Sequence, residues 1–446
     1  MDTWLLENVV LVPMDGPPSA PLGSVRQGAI RIRGASIDRI GDLEPLPGER
    51  RIDGRGCAAL PGFVQGHVHC CQTLFRGLAE DMDLLRWLRE RIWPLEHAHV
   101  EDSAKASADL TFALLLRTGT TAVQTMESVR HAEAAFESAL MTPITLVSGN
   151  CLMDEAEGCP PGMATSAEEA LSICERLQKE FDGREGRIHY AVSPRFVLSC
   201  SDALSREAAE FARDRGLRVH THACEHPSEV EAVRRARGMD YIEILERQGL
   251  LGPRTSLAHC VHTTARERNI LRETDTAVLH CPTTNLKLGS GIAPIAEYLR
   301  RGLRVSLGAD GAPANNRLSA LAETRMAALL QALVEGPGAF PAAAALDAAT
   351  RGGARALGLE DRLGSLEPGK RADICLFDIR DAESRPGGDL ATLLVHGSDD
   401  RRIAAVICGG EFAVQDGRYA LGSLADIANR AEDALEKLLA RAGLAR

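Results

Sequence analysis

AALPGFVQGHVH, residues 58–69, is a run of buried-strand residues that ends on two histidines, and the chain repeats the pattern three more times. GLRVHTHACE (216–225) ends in His222 and Glu225, RTSLAHC (254–260) in His259, and LRVSLGADG (303–311) in Asp310. A parallel barrel carries its chemistry at the C-terminal ends of its strands, so residues distant in sequence converge there. His67 and His69 lie two apart on a strand and point to the same face, where both imidazoles reach one ion. With His222 and Asp310 they form a mixed nitrogen and carboxylate set of the kind that holds zinc or a similar divalent cation with one position open to water.

Outward from these stretches, the pattern divides the chain. Residues 1–59 alternate apolar and polar positions between Gly, Pro and Asp, as in ENVVLVPMDG and GAIRIRGASIDRIGD, which is a strand and hairpin pattern. From 60 to 364, apolar strands alternate with helical periods, as in GRIHYAVSP followed by LSREAAEFARDRG. Strands return over 365–422, and residues 423–446 read as an amphipathic helix that either covers the barrel or serves an oligomer contact. The expectation is an α/β chain: a (β/α)8 TIM barrel, with a small β-sandwich formed from both chain ends.

Composition narrows the function classes. A net charge of -11 over 446 residues argues against nucleic acid or an anionic membrane surface as partner. The N-terminus lacks a signal-peptide pattern and no run of about 18 apolar residues occurs, so a cytoplasmic location is expected. Twelve cysteines at irregular spacing read as reduced thiols, and Cys70 and Cys71 as small buried hydrophobes in preference to ligands.

Glu225, three residues past His222, is placed as a proton carrier, and His259 and Asp310 as groups that hold or accept the proton of a coordinated water. Plainer readings exist: Glu225 as the cap of a helix starting at His226-Pro227, and His259 as a satisfied core histidine. His280, at another strand end, reads as a loop anchor because four donors are already assigned.

In order and spacing, PGFVQGHVH, HTHACE, LAHC, HCPTTNLKLGSGIAPI and SLGADGAPANN resemble the amidohydrolase superfamily over nearly the whole chain. CQTLFRGLAEDMDLLRWLRERIWPLE is similar to its 5'-deoxyadenosine, methylthioadenosine and S-adenosylhomocysteine deaminases. The resemblance implies His67, His69, His222 and Asp310 as metal ligands, zinc as the usual ion with iron or manganese as alternatives, and His259 beside the metal's water. It implies hydrolytic deamination at carbon 6 of an adenine nucleoside, with Glu225 protonating ring nitrogen 1 and Asp310 passing a proton to the leaving amine. The five lysines (Lys105, Lys179, Lys287, Lys370, Lys437) leave none in GRIHYAVSPR, where binuclear relatives carry a bridging lysine, so a single ion is expected.

By the same resemblance Glu96 would bind the ribose hydroxyls, and Trp87 and Leu88 would line the pocket. Ser148 and Arg195 depart from the homocysteine and methylthio pattern, where an arginine and a histidine are expected; both positions contact the sugar or its 5' substituent in the family. Loss of that arginine favours a short 5' group. Gln72 with Arg195 resembles guanine deaminase, where such a pair reads the base. The alternatives are therefore guanine or 8-oxoguanine deamination, or s-triazine amino or chloro hydrolysis, with Glu96 arguing for a sugar. A barrel retained as a non-catalytic scaffold is disfavoured because every metal and proton-transfer position is intact. Family members are often homo-oligomers, which is the expectation here.

Overall fold

The computed structural model describes residues 3–155, 162–381 and 384–445. Met1 and Asp2 of the amino-terminal stretch, and Arg446 of the last helix, lie outside the described residues. Eight strands form the barrel: β1 Phe63–His69, β2 Thr120–Thr125, β3 Thr145–Ser148, β4 Ile188–Pro194, β5 Arg218–Ala223, β6 Thr255–His259, β7 Ala277–His280 and β8 Val305–Leu307. They pair in parallel in chain order. The stretch from β8 onward closes the ring, since Val305 lies opposite Val278 and Asp310 opposite Val68.

Helices cover such a sheet on its outer face and side chains fill its inner one, so the strands are apolar without alternation. All seven residues of β1 are buried, polar Gln65, His67 and His69 among them. β1 and the end of β8 run close together: a Cβ at Gly308 would stand 2.6 Å from the His67 carbonyl oxygen, so only glycine fits. Capping residues set the helix limits. Helix Asp202–Arg215 starts where the Ser201 side chain accepts from Leu204 N and ends at Gly216, φ 64°.

A second sheet of nine strands combines both ends of the chain. Its central seam pairs Cys57–Pro61 with Ile374–Asp378 in antiparallel fashion, Ala58 opposite Phe377. The barrel is thus inserted between the two halves of this sheet.

Two segments outside the barrel repeat shape the site. After β1 the chain forms short turns of helix at Leu84–Trp87 and Trp93–His97, joined by a wider turn at Leu88–Ile92. The helix Leu424–Ala442 packs Leu435, Leu438 and Leu439 into the same apolar cluster as Trp87, Leu88 and Trp93. Arg441 Nε also donates to the Ala98 carbonyl at 2.8 Å. The last helix therefore braces the segment that follows β1. Among the described residues, no helix is long and apolar enough to cross a membrane.

Candidate active site

Backbone carbonyls decide which nitrogen of each histidine faces the barrel mouth. His69 Nδ1 lies 2.8 Å from the Met126 carbonyl and His222 Nδ1 lies 2.7 Å from that of Arg195. A carbonyl only accepts, so both Nδ1 atoms carry the proton and both Nε2 atoms present lone pairs. Those two Nε2 atoms stand 3.2 Å apart. Burial lowers the pKa of both rings, so protonation does not relieve the opposition. Facing lone pairs at this distance repel unless a cation lies between them.

The rest of the set converges on the same point. Asp310 Oδ1 is 3.3 Å from both His67 Nε2 and His69 Nε2, and the His67 Nε2 has no hydrogen-bond partner. Donor atoms of His67, His69 and Asp310, and of His67, His222 and His259, fall within 4.8 Å of one another. Burial works against charge on Asp310, yet His67, His69 and His259 around it hold its carboxyl far below the usual range. These residues fit a divalent cation: neutral imidazoles with fixed tautomers, and an ionised carboxylate. Two of the strand-end residues, His259 (φ 74°) and Asp310 (φ 62°), sit in the left-handed backbone region, at about 1–3 kcal/mol of strain each.

One ring that supports this set was missed in the sequence reading. His67 Nδ1 is 2.9 Å from Nε2 of His220, which is fully buried and whose pKa burial lowers to about 3. His220 stays neutral and accepts from His67, fixing that ligand's tautomer as the carbonyls fix the others. The spacing signal was present, since H-T-H at 220–222 repeats the same-face geometry of 67 and 69.

Glu225 approaches from β5 and His259 from β6, with Glu225 Oε2 3.4 Å from His259 Nε2. Asn285 Oδ1, at 2.9 Å, holds the His259 Nδ1 proton, so His259 also turns a lone pair inward. Burial, then the nearby Asp310 and Glu229 carboxylates, push the Glu225 pKa well above the usual range, which favours its protonated form. Its backbone is fixed by Glu229, which accepts from Glu225 N at 2.8 Å and from Tyr241 OH at 2.7 Å. Glu229 belongs to the capping box of the helix Pro227–Arg237, a role the sequence reading weighed for Glu225.

These groups floor a cavity walled by Trp87, Leu88 and Phe196 and bordered by Gln72 and Arg195. Glu96 does not border it: its carboxylate lies behind, accepting from Arg195 Nη1 at 2.6 Å and Gln72 Nε2 at 2.8 Å. Ser148 lies outside the lining too, fully buried on β3 with its hydroxyl accepting from Thr125 Oγ1 at 2.7 Å. The structure thus places Ser148, expected as a sugar contact, inside the packed barrel and apart from the residues that line the cavity. Burial pushes the thiols of Cys70 and Cys71 well above their usual pKa, as expected of small buried hydrophobes. His280 is buried with neither ring nitrogen partnered, so the expected anchoring role has no hydrogen bond behind it.

The amidohydrolase family model matches residues 58–413. The 5'-deoxyadenosine deaminase of Methanothermobacter thermautotrophicus is 36% identical over 406 residues, covering 90% of this chain and 92% of that protein. The 5-methylthioadenosine/S-adenosylhomocysteine deaminase of Pelotomaculum thermopropionicum is 34% identical, covering 93% of this chain and 94% of its own. An adenosine deaminase from Xanthomonas campestris, crystallised with bound zinc, superposes with a TM-score of 0.90 at 28% identity, over 98% of both chains. The chain belongs to the amidohydrolase family and is a hydrolytic deaminase.

Proposed function

We propose that this deaminase acts on adenine nucleosides with a short 5' group, 5'-deoxyadenosine and methylthioadenosine first, and that it uses one zinc ion. The observation that carries the chemistry is the opposed Nε2 pair of His69 and His222, with the Asp310 carboxylate 3.3 Å from His69 Nε2 and Glu225 3.4 Å from His259 Nε2. The substrate reading is supported by the names and full-length similarity of the deaminase relatives.

A divalent ion held by His67, His69, His222 and Asp310 supplies Lewis acidity and a water acidified toward neutral pH. The chain's own groups do the rest. Glu225, as a neutral acid, donates its proton to the ring nitrogen beside the reacting carbon, relieving charge that builds there as oxygen adds. Asp310, with His259 4.0 Å from its Oδ2, accepts the incoming water's proton and returns it to the amine, which leaves as ammonia. The proton left on the new hydroxyl returns to Glu225, so that water supplies the oxygen and both protons that the products require. Trp87, Leu88 and Phe196 cover the flat ring and keep other water out.

The test is loss of adenine ultraviolet absorbance with 5'-deoxyadenosine, methylthioadenosine, S-adenosylhomocysteine and adenosine, with guanine alongside. Turnover is expected to be fastest with the two short nucleosides; no ammonia from any adenine nucleoside sinks the substrate reading. One observation favours guanine as a second reading: Gln72 and Arg195 border the cavity, and Glu96 does not.

A further inference from the structure

Resting on the deaminase reading of this cavity, we propose that residues 77–92 form a flap that swings out to admit the ligand, and that Lys287 is the latch that holds the flap shut through Glu80. Both residues act by positioning the wall, and neither touches a reacting atom.

Space requires that something moves. The cavity leaves about 30 Å³ free, room for about two waters, whereas a site that buries a small organic ligand measures roughly 300–1,000 Å³. No purine fits between the walls as they stand. The floor cannot yield, because His69, His222 and His259 belong to strands of the closed barrel. Of the five apolar residues that line the cavity, Leu84, Trp87 and Leu88 come from one segment.

That segment can move as a unit. Among the described residues, the main chain of 79–92 bonds only within residues 79–97. At one end stands Gly77, φ 76°, where a Cβ would meet open space, so the glycine serves the backbone turn and not a close approach. At the other, the wider turn Leu88–Ile92 interrupts the helix, a defect that recurs at functional sites. Beyond it Glu96 is anchored by Arg195. These two points are the hinges.

The flap is held down by the packing of Leu84, Trp87 and Leu88 in one apolar cluster with the last helix, and by the ion pair of Glu80 with Lys287. Lys287 ends the helix Pro282–Lys287, just past β7, and directs its ammonium at three acceptors: Glu80 Oε2 at 2.6 Å, Asn316 Oδ1 at 2.9 Å and the Pro313 carbonyl at 3.0 Å. The other Glu80 oxygen accepts from Asn316 Nδ2 at 3.3 Å. One lysine thus joins the segment after β1 to the loops after β7 and β8. The pair is partly exposed, 24% for Lys287 and 38% for Glu80, and so weak enough to break and reform with each passage of a ligand.

The experiment uses the full, metal-loaded chain and reads amide hydrogen exchange of residues 79–92 by mass spectrometry, with thermal melting to verify that each variant folds. Glu80→Ala removes the tie and leaves the bonds of Lys287 to Asn316 and Pro313 in place. It is expected to speed exchange of 79–92 about threefold, the worth of a partly exposed ion pair, with the helix Asp202–Arg215 unchanged. Lys287→Met is expected to do the same and also to loosen residues 312–316. Unaltered exchange of 79–92 in both variants overturns the latch. A second arm fixes the flap: E80C/K287C is bridged by a cleavable bis-maleimide, with wild type treated alike as the control for native thiols. Bridging is expected to slow turnover of 5'-deoxyadenosine about tenfold or more, and cleavage by reductant to restore it. Full turnover with the bridge in place overturns the flap as the route of entry. If the unbridged enzyme turns over neither 5'-deoxyadenosine nor guanine, the substrate reading fails, and the exchange arm still decides this one.

Discussion

Glu127, just past β2, offers a stability measurement that isolates one buried charge. Its Oε2 accepts from Cys71 N at 3.0 Å, its Oε1 has no partner, and burial raises its pKa from the ordinary 4.5 to about 7. Between those values the folded chain holds a proton that the unfolded chain has released. Stability therefore falls as pH rises through the window and is flat above it. At about 1.4 kcal/mol per pH unit, wild type loses about 3 kcal/mol by pH 7.5 relative to pH 4.5. Glu127→Gln keeps the shape and removes the titration. At about 2.1 cal/mol/K per residue, unfolding 446 residues as one unit makes 3 kcal/mol worth about 3 °C. Calorimetry of metal-stripped wild type and E127Q at pH 5, 6, 7 and 8 should show the Tm difference shifting by that amount in favour of the variant. A difference constant to within about 1 °C across the series refutes the reasoning.

Three further outcomes are expected. Glu225→Gln keeps metal stoichiometry and lowers kcat about 10²- to 10⁴-fold, and a loss below tenfold in steady-state rate would remove Glu225 as the acid. His220→Phe removes the acceptor of His67 Nδ1 and weakens metal affinity about 10- to 100-fold, read by chelator competition; unchanged affinity shows that His67 needs no such support. Leu438→Ala, at a fully buried position shared with Trp87 and Leu88, destabilises by about 2–5 kcal/mol and raises KM. A lower Tm with an unaltered KM in that variant shows that the last helix does not shape the cavity.

The barrel was legible because its signal is local: each strand is a short apolar run, and a ligand at its end needs no knowledge of its neighbours. The convergence of His67, His69, His222 and Asp310 was legible for the same reason, since the strand ends of one barrel meet whatever lies between them. Partners across the fold were not legible. The resemblance implies Glu96 as a sugar ligand, and nothing in its own segment shows that Arg195, on another strand end, engages its carboxylate. Ser148 was implied as a sugar contact only by its family position, and the pairing of its hydroxyl with Thr125 Oγ1 inside the barrel has no signal in the sequence. Glu225 has the spacing of a cap in sequence; in the structure Glu229 bonds the main chain there and Glu225 enters the cavity.

The nine-stranded sheet sets an order of events during synthesis. Ala58 waits for Phe377, and the wall at Trp87 waits for Leu438, whereas every metal donor has been made once Asp310 has emerged. Domains fold as units during synthesis. A nascent chain therefore acquires the means to capture an ion before it acquires a walled pocket. Chains stopped between Asp310 and the last helix would then sequester metal without turning over substrate.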